Sequence, residues 1–365
     1  MQAGIVGLPN VGKSTLFNAL TKVGVSAENY PFCTIEPNVG VVDVPDHRLQ
    51  ILADMEHPQK IIHATVEFVD IAGLVRGASK GEGLGNKFLS HIRNVDAIIH
   101  VVRCFEDENI IHVDTTIDPV RDVETISLEL IFADLETIER RLERTKKMTK
   151  SGDRTYIKQV EILERIKDEL ENGIPVRKMS FDNNEEMEFV KTLDLLTYKP
   201  VLYVANINED EILDSENNKY INSLKQYAER EGSEVIPICA KIEAEIADLE
   251  DSEKLAFLKD IGIEEPGLNK LIRKAYQILG YITFFTAGPK EVRAWTIVKN
   301  TKAPQAAGKI HSDFERGFIR AEVVSFDDLV HAGSQIRARE LGLIRSEGKE
   351  YIMQDGDVVV FRFNV

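Results

Sequence analysis

Cysteine and tryptophan are scarce in this chain of 365 residues, which contains three cysteines and one tryptophan. Cys33, Cys104 and Cys239 lie far apart and lack the spacing of a metal site, so we expect reduced thiols rather than disulfides. No run of about 18 apolar residues occurs, so we expect no membrane span. Residues Met1–Val6 carry neither a basic leader nor a cleavage site. We therefore predict a cytoplasmic protein.

Acidic charge dominates the chain and is unevenly distributed. The net charge of −16 argues against indiscriminate nucleic-acid binding by the whole molecule. Residues 281–365 contain 12 Lys/Arg and 11 Asp/Glu, whereas the rest of the chain contains 33 and 50. This contrast predicts one domain at 1–280 and a separate domain at 281–365.

A phosphate-binding motif stands near the start of the chain. Gly7–Ser14 reads GxxxxGK[ST], with an apolar strand before it at Ala3–Val6 and a helical pattern after it at Thr15–Leu20. A P-loop requires this strand–loop–helix context. Its glycines let backbone N–H groups wrap a phosphate chain at the positive end of a helix. We predict that Lys13 binds the β- and γ-phosphates and that the Ser14 hydroxyl ligates Mg²⁺.

Two further segments supply candidates for contact with the γ-phosphate. Thr34, in a proline-containing loop, is a candidate second Mg²⁺ ligand, and the alternative is an ordinary loop threonine. Thr65–Asp70 reads as a strand that runs into a DxxG motif. Its Asp70 carboxylate is predicted to hold Mg²⁺ through water, and the Gly73 N–H to contact the γ-phosphate.

The group that activates the attacking water is not evident from these motifs. Leu74 occupies the position where Ras-like enzymes have a glutamine that orients water, and leucine cannot hydrogen-bond. We put forward His112, which follows another strand at the catalytic edge of the sheet, as the group that positions or deprotonates the water. The alternative is a structural or exposed loop histidine. Four glycines between Gly77 and Gly85 predict a switch segment.

The segment Asn206–Glu209 reads NxxE where a guanine-specific protein has NKxD. The NKxD aspartate accepts from the ring N–H and amino group of guanine. Glu209 is one methylene longer, and Ile207 replaces the lysine whose stem covers the base. Losing such a polar match costs several powers of ten in discrimination, so guanine selectivity is doubtful. Asn206 can still donate to purine N7, the backbone near Ile207 can meet the adenine edge, and the Ala240 N–H is a further candidate contact.

Helical periodicity replaces the strand patterns from about residue 122. Apolar residues recur at heptad spacing in two stretches separated by Ser151–Asp153, and Asn172–Gly173 ends the second stretch. We predict an inserted antiparallel helical coiled-coil hairpin at about 122–196, whose charged exterior is either a solvated face or a partner arm. The seam residues are Leu128, Ile131, Leu135, Ile138 and Leu142, followed by Tyr156, Val160, Leu163, Ile166 and Leu170.

The last 85 residues read as a small mixed β-grasp domain. Val292–Val298 and Gly317–Val323 alternate as strands, and Asp355–Gly356 signals a hairpin. Basic and aromatic side chains cluster here, which suits RNA binding, and the alternative is a half-buried strand with a solvated face. The cluster consists of Lys309, His311, Arg316 and Arg320 with Phe314 and Phe318.

These motifs together resemble the YchF / Obg-like ATPase family, within the Obg group of translation-associated P-loop proteins. The resemblance rests on Gly7–Thr15, Asp70–Ser79, Gly81–Gly85, the NxxE of Asn206–Glu209, and a C-terminal segment similar to a TGS domain. It implies an α/β fold, in which a P-loop NTPase sheet of the Ras-like G-domain type carries the inserted hairpin and precedes a C-terminal β-grasp TGS domain.

The resemblance also implies an activity and its ligands. It implies ATP hydrolysis with weak guanine preference, and association with ribosomes or the large ribosomal subunit. RNA contact through the TGS domain is a further expectation. Ser14 and Thr34 would ligate Mg²⁺, and Ile207 would meet the base. The ATP-binding residues would be Asn10, Val11, Gly12, Lys13, Ser14 and Thr15.

We predict a slow ATPase switch in which Lys13, Asp70, Gly73 and His112 act on the phosphates and the water. Asn206, Ile207, Glu209 and Ala240 form the base pocket of this prediction. One alternative is a GTPase of the Obg group in which NxxE is tolerated. The other is a nucleotide-gated RNA- or ribosome-binding module whose hydrolysis is incidental.

Overall fold

A computed structural model describes residues 1–24, 38–71, 84–107 and 116–364 of the chain. The described residues fall into two compact units. The first contains those within 1–23, 35–40 and 67–271, and the second contains those within 24–34, 41–66 and 272–365. The division is therefore not linear, because Val41–Val66 belongs with the C-terminal residues.

The first unit is built on a six-stranded sheet. Its strands are β1 Gln2–Val6, β2 Val39–Asp43, β4 Thr65–Asp70, β5 Ala97–Arg103, β6 Val201–Asn206 and β7 Glu234–Ile238. They lie in the order β2-β4-β1-β5-β6-β7, and the pairs β1–β4, β1–β5, β5–β6 and β6–β7 are parallel. Parallel strands end at the same edge of a sheet, so the segments that follow them meet in one crevice.

Helices surround this sheet and shield its apolar strands. Every residue of β5 and β6 is buried, as expected of central parallel strands covered on both faces. The helices of the first unit are α1 Lys13–Lys22, α3 Leu84–Asn94, α4 Pro119–Met148, α5 Arg154–Glu171, α6 Asn184–Lys191, α7 Lys219–Glu229, α8 Ala240–Ile246, α9 Asp251–Asp260 and α10 Gly267–Ile278, the last of which continues into the second unit. Of these, α1, α3, α4 and α7 pack against strands of the sheet.

The predicted helical hairpin is present and consists of α4 and α5. Its antiparallel course is visible in two ion pairs, Lys146–Glu164 at 2.7 Å and Lys167–Glu139 at 3.0 Å. Leu128 departs from the predicted seam, because 45% of it is exposed. The 18 residues of α5 are too few to run back along all 30 residues of α4 as far as Leu128. The buried seam residues are Ile131, Ile138, Leu142, Leu163, Ile166 and Leu170.

A buried carboxylate fastens the base of the hairpin to the chain that enters β6. Asp134 of α4 accepts the N–H of Leu196 at 2.9 Å, the N–H of Thr197 at 2.8 Å and the Thr197 hydroxyl at 2.7 Å. The Thr197 hydroxyl oxygen in turn accepts the Val176 N–H at 3.2 Å. Three donors that converge on one buried carboxylate form a strong polar clamp.

The second unit contains a mixed six-stranded sheet in the order β11-β10-β12-β8-β9-β3, which agrees with the predicted β-grasp character. Its strands are β3 Lys60–Ile62, β8 Tyr281–Ala287, β9 Glu291–Val298, β10 Phe318–Ser325, β11 Arg345–Glu347 and β12 Asp357–Phe363. Its helices are α2 His47–Glu56, α11 Ala303–Ile310, α12 Ser312–Arg316, α13 Phe326–Ala332 and α14 Gln335–Glu340.

Strand β3 explains why Val41–Val66 joins this unit. It extends the C-terminal sheet by parallel pairing with β9, in which Lys60 lies beside Glu291 and Ile62 beside Arg293. No sequence signal predicted this edge strand, because its three residues are too few for a period to be read.

The hairpin predicted at Asp355–Gly356 is wrong. Among the described residues, no pair of strands is joined there, and β12 begins only at Asp357. The Asp355 carboxylate instead accepts the Thr283 N–H at 2.8 Å and pairs with Arg48 at 2.7 Å, and the Gly356 N–H donates to the Thr283 carbonyl at 2.8 Å. The turn therefore braces β8 and α2. Among all the described residues, no helix is both long enough and apolar enough to cross a membrane.

Candidate nucleotide-binding site

The P-loop joins β1 to α1, and at two of its positions neighbouring atoms leave room only for glycine. A Cβ added to Gly7 would lie 2.7 Å from the carbonyl oxygen of Val101, so any larger residue would push the loop off β5. Gly12 has a φ of 94°, and its Cβ would lie 2.2 Å from the amide nitrogen of Asn206. Helix α1 begins directly after Gly12 with no side-chain cap and no acidic residue in its first turn. Its first N–H groups are therefore arranged to face an anion.

Lys13 and Asp70 form an ion pair at this helix terminus. The register of β1 against β4 places Ile5 beside Asp70, which brings the DxxG carboxylate to the P-loop. Both side chains are largely buried, so the pair neutralises two charges that are only partly solvated. Two of the predicted catalytic residues are thus brought together by strand order.

Asn206 connects the two ends of the site. Its side-chain nitrogen donates to the Val11 carbonyl at 2.9 Å, and its side-chain oxygen accepts the Ala240 N–H at 3.0 Å. The Asn206 amide therefore retains one further hydrogen for the predicted bond to purine N7. The Ala240 N–H, predicted as a contact to the base, is engaged by Asn206, so a bond to the base requires this hydrogen to be shared or released.

The NxxE segment has its own internal partners. The Ile207 N–H donates to the Ile238 carbonyl at 3.0 Å, and the Ile207 side chain is only 3% exposed. The Asn208 N–H donates to the Glu211 carboxylate at 3.1 Å in a capping box. The Glu209 carboxylate forms an ion pair with Lys241, which raises the pKa of Lys241. The carboxylate predicted to be too long for guanine thus has a cation beside it, in an ion pair exposed at the surface.

A cavity of about 640 Å³ unites these segments, within the range of small-molecule sites. Seven of the predicted residues line it: Asn10, Gly12, Thr15, Asn206, Ile207, Glu209 and Ala240. Val11, the loop residue between Asn10 and Gly12, is buried. The lining adds residues that were not predicted as ligands: Phe105, Asp107, Asn208, Asp210, Cys239 and Lys241.

Arg103 organises the wall that carries Phe105 and Asp107. Its guanidinium donates to the Phe105 carbonyl at 3.1 Å and to the Asp107 carbonyl at 3.1 Å, and its Cζ lies 4.7 Å from the centre of the Phe105 ring. Arg103 is almost fully buried. The sequence analysis placed the segment after β5 at the catalytic edge, where parallel strands end, but named only His112 from it as a site residue. It missed Arg103 and the contribution of Phe105 and Asp107 to the cavity wall.

Three predicted site residues lie outside the described residues. They are the candidate Mg²⁺ ligand Thr34, the DxxG glycine Gly73 and the candidate water-activating residue His112. Their roles stay predictions.

Comparisons with known proteins cover the chain from end to end. It is 57% identical over 365 residues to "Ribosome-binding ATPase YchF" of Bacillus subtilis (strain 168), with 100% of both chains covered. The chain belongs to the YchF family. A relative with the same name from Escherichia coli O157:H7 is 54% identical over 364 residues, covering 100% of this chain and 99% of the relative. The family resemblance inferred from the motifs is confirmed.

Structural and family comparisons agree with this YchF membership. The "Structure of the Schizosaccharomyces pombe YchF GTPase" matches with a TM-score of 0.90 and 40% identity, over 99% of this chain and 97% of that chain. Residues 2–150 match the family model MMR_HSR1, which is described as a 50S ribosome-binding GTPase. Residues 281–364 match the family model YchF-GTPase_C, which is described as a protein of unknown function. The predicted fold class of this YchF-family chain is confirmed.

Proposed function

We propose that this chain is an ATP-hydrolysing switch protein that binds the ribosome. Membership of the YchF family and the match to a GTPase family model support a nucleotide hydrolase in general. The bacterial relatives are named ribosome-binding ATPases, whereas the Schizosaccharomyces pombe relative is described as a GTPase. The choice of base is therefore the point on which the proposal needs its own argument.

The buried Ile207, which stands where NKxD has its lysine, is the observation that carries the choice of ATP. A guanine-specific pocket offers a free carboxylate to the guanine ring N–H and amino group. Here the buried Ile207 supplies an apolar wall in place of a lysine stem, and the longer Glu209 carboxylate already pairs with Lys241 at the surface. Adenine lacks the ring N–H on this edge, so it loses less than guanine when no carboxylate is offered.

Mg²⁺ is the proposed cofactor, and the oxygen donors near the P-loop fit it. Mg²⁺ prefers hydroxyl, carboxylate, phosphate and water oxygens. The contact of Asp70 with Lys13 brings a carboxylate to the first turn of α1, where Ser14 supplies a hydroxyl next in the chain. Ser14 and Thr34 would hold the ion directly and Asp70 through water. When bound, the ion neutralises charge on the phosphates.

The remaining proposed roles belong to residues of this chain. Lys13 stabilises negative charge on the transferred phosphoryl group, which requires its ammonium to exchange Asp70 for phosphate oxygens. Gly73 donates its N–H to the γ-phosphate, and His112 positions or deprotonates the attacking water. The P-loop amides and Asn206 hold the two ends of the nucleotide in register.

The ribosome is the proposed partner because the bacterial relatives are named ribosome-binding ATPases. The large subunit and a cytoplasmic location belong to the same proposal. RNA contact by the C-terminal domain is less well supported at the predicted cluster, since Phe318 is buried and Phe314 stacks on Phe363 with ring centres 3.8 Å apart. Arg320 there pairs with Glu322 at 3.2 Å.

Competition between ATP and GTP for one labelled nucleotide tests the proposal. We expect ATP to displace the label at the lower concentration. The double variant I207K/E209D restores NKxD and should shift the preference toward GTP by at least about tenfold, since a matched polar contact returns. The E209Q variant, which keeps the side-chain length, serves as the control and should gain no GTP preference.

Tighter binding of GTP than of ATP by the unaltered chain would contradict the proposal and favour a GTPase. A Lys13 variant distinguishes the proposal from the alternative of a binding module with incidental hydrolysis. If a K13A variant that cannot hydrolyse ATP still binds ribosomes in a nucleotide-dependent manner and replaces the unaltered gene in a deletion strain, hydrolysis is incidental.

A further inference from the structure

The α4–α5 hairpin carries its charges in two opposite blocks. Residues 140–158, which we call the hairpin tip, contain eight Lys/Arg and two Asp/Glu, a net charge of +6 in a chain of net −16. The adjoining parts of the same hairpin are acidic. Residues 122–139 contain six acidic and no basic side chains, and residues 159–171 contain five acidic and two basic ones. A solvated face would mix both signs along its length, as surface helices usually do.

Five of the eight cations at the hairpin tip are exposed and form no ion pair with a carboxylate of the described residues. Four of them are Arg141, Arg144, Lys150 and Arg154, and the fifth is Lys158, whose charge helps to lower the pKa of Glu186. Such side chains offer their charge to an external anion without first breaking an internal contact.

Three other cations of the tip have partners. Arg140, Lys146 and Lys147 pair with carboxylates at 3.9, 2.7 and 3.6 Å. These pairs are exposed at the surface, where an ion pair contributes little and is readily exchanged. The paired cations therefore add to the positive charge of the tip, but the unpaired cations contribute most of it.

Helix stability accounts for only part of this pattern. Lys146 and Lys147 lie in the last turn of α4, where cations complement the helix dipole. Arg154 is the first residue of α5, whose first turn contains no acidic residue. A cation at that end opposes the helix dipole. Arg154 is thus unfavourable for its own helix, and a use for positive charge at the tip explains it.

We propose that the hairpin tip binds the phosphate backbone of RNA. This inference rests on the proposed function, because the ribosome is the source of that RNA. Unpaired arginine and lysine side chains displace counterions from phosphates, and this release drives salt-dependent binding. The rest of the acidic chain is repelled by a polyanion, so a confined positive tip also orients the approach.

Binding of the full-length chain to ribosomes and to protein-free ribosomal RNA, measured over a series of salt concentrations, tests this inference. The variant R141Q/R144Q/K150Q/R154Q removes four of the five unpaired charges and leaves Lys158, whose charge acts on Glu186. We expect its slope of log affinity against log salt to be smaller by about 3 to 4, with ribosome affinity at low salt at least about tenfold weaker. ATP affinity should be unchanged, because the tip contributes no residue to the nucleotide cavity.

Three further variants serve as controls. The pair K150Q/R154Q should lower the slope by about 1.5 to 2, whereas R230Q/K259Q should leave it unchanged. Arg230 and Lys259 are exposed, lie in the same unit and pair with no described carboxylate. The conservative variant R141K/R144K/K150R/R154K keeps the charge and should keep the slope of the unaltered chain.

The outcomes separate this inference from the proposed function. If the unaltered chain binds ribosomes and the four-charge variant has the same slope, the inference is wrong and the proposed function stands. If the variant loses ribosome binding but binds protein-free RNA as the unaltered chain does, the tip contacts a ribosomal protein and the RNA assignment is overturned. Tip-dependent binding of free RNA without ribosome binding supports the inference and contradicts the proposed function. Binding to neither overturns both.

Discussion

Asn206 donates its side-chain amide to the carbonyl of Val11, 195 positions earlier in the chain, at 2.9 Å. Because the same amide accepts the Ala240 N–H, one side chain holds the phosphate end and the base end of the site in a fixed relation. The position is buried, so water cannot replace either bond without a rearrangement.

The first prediction concerns the loss of this side chain. N206A leaves a buried carbonyl and a buried N–H without a partner, at a cost of about 1 to 3 kcal/mol. We expect the affinities for ATP and GTP to fall together by about 10- to 100-fold, measured by competition. N222A, which removes an exposed bond to the Glu216 carbonyl, is the control and should bind nucleotide normally. An unchanged affinity of N206A would contradict the coupling.

Alanine substitutions at two glycines with positive φ distinguish the effect of backbone strain from that of a steric clash. G12A adds both, because φ is 94° and the new Cβ would meet Asn206, so we expect nucleotide binding to be lost. G152A, at the turn of the hairpin, adds strain only, since φ is 77° and nothing lies within 4 Å of the Cβ. It should cost about 1 kcal/mol of stability and leave nucleotide affinity intact. Equal effects of the two variants on affinity would refute this account.

The Asp134 clamp predicts a local stability effect. D134N keeps the shape but turns a carboxylate that accepts three hydrogen bonds into an amide, and we expect the clamp to weaken by about 2 kcal/mol or more. Hydrogen exchange should show faster exchange at the Leu196 and Thr197 N–H groups. E136Q, on an exposed turn of the same helix, should leave both amides protected. Unaltered exchange in D134N would show that the clamp does not hold this segment.

Glu322 predicts a pH dependence in the second unit. Hydrogen bonds from Arg362 and Arg320, with the charge of Arg339 nearby, lower the pKa of Glu322 from about 4.5 to about 2. A carboxylate with a depressed pKa stabilises the folded state above its unfolded pKa and loses that contribution as the pH falls. We expect the unfolding midpoint of the unaltered chain to fall toward that of E322Q between pH 4.5 and 2.

Fluorescence of Trp295, the single tryptophan, measures this transition because it lies in the same unit and stacks on Phe284. A difference between the two chains that stays constant over this pH range would show that Glu322 does not titrate as described.

The parts of the site whose residues are neighbours along the chain could be predicted from the sequence, and the parts built from distant residues could not. The P-loop and the DxxG aspartate are local patterns whose backbone geometry follows from their own residue types. The heptad spacing likewise predicted the helical hairpin. Arg103 gave no signal, because an arginine at the end of an apolar strand is ordinary until the loop carbonyls that it binds are in place. Leu128 was misassigned to the seam, because periodicity does not reveal where the partner helix ends.

By itself the sequence determined the chemistry available to this protein: a phosphate loop, a carboxylate for the metal, a base segment altered from NKxD, and a basic segment between two helical repeats. Only the tertiary structure decided which groups neutralise one another, pairing Glu209 with Lys241 and Asp70 with Lys13, and it placed β3 at the edge of the C-terminal sheet. The reason is physical. A motif is specified by neighbours along the chain, whereas a buried or paired partner is specified by strand order, which depends on the packing of the whole core.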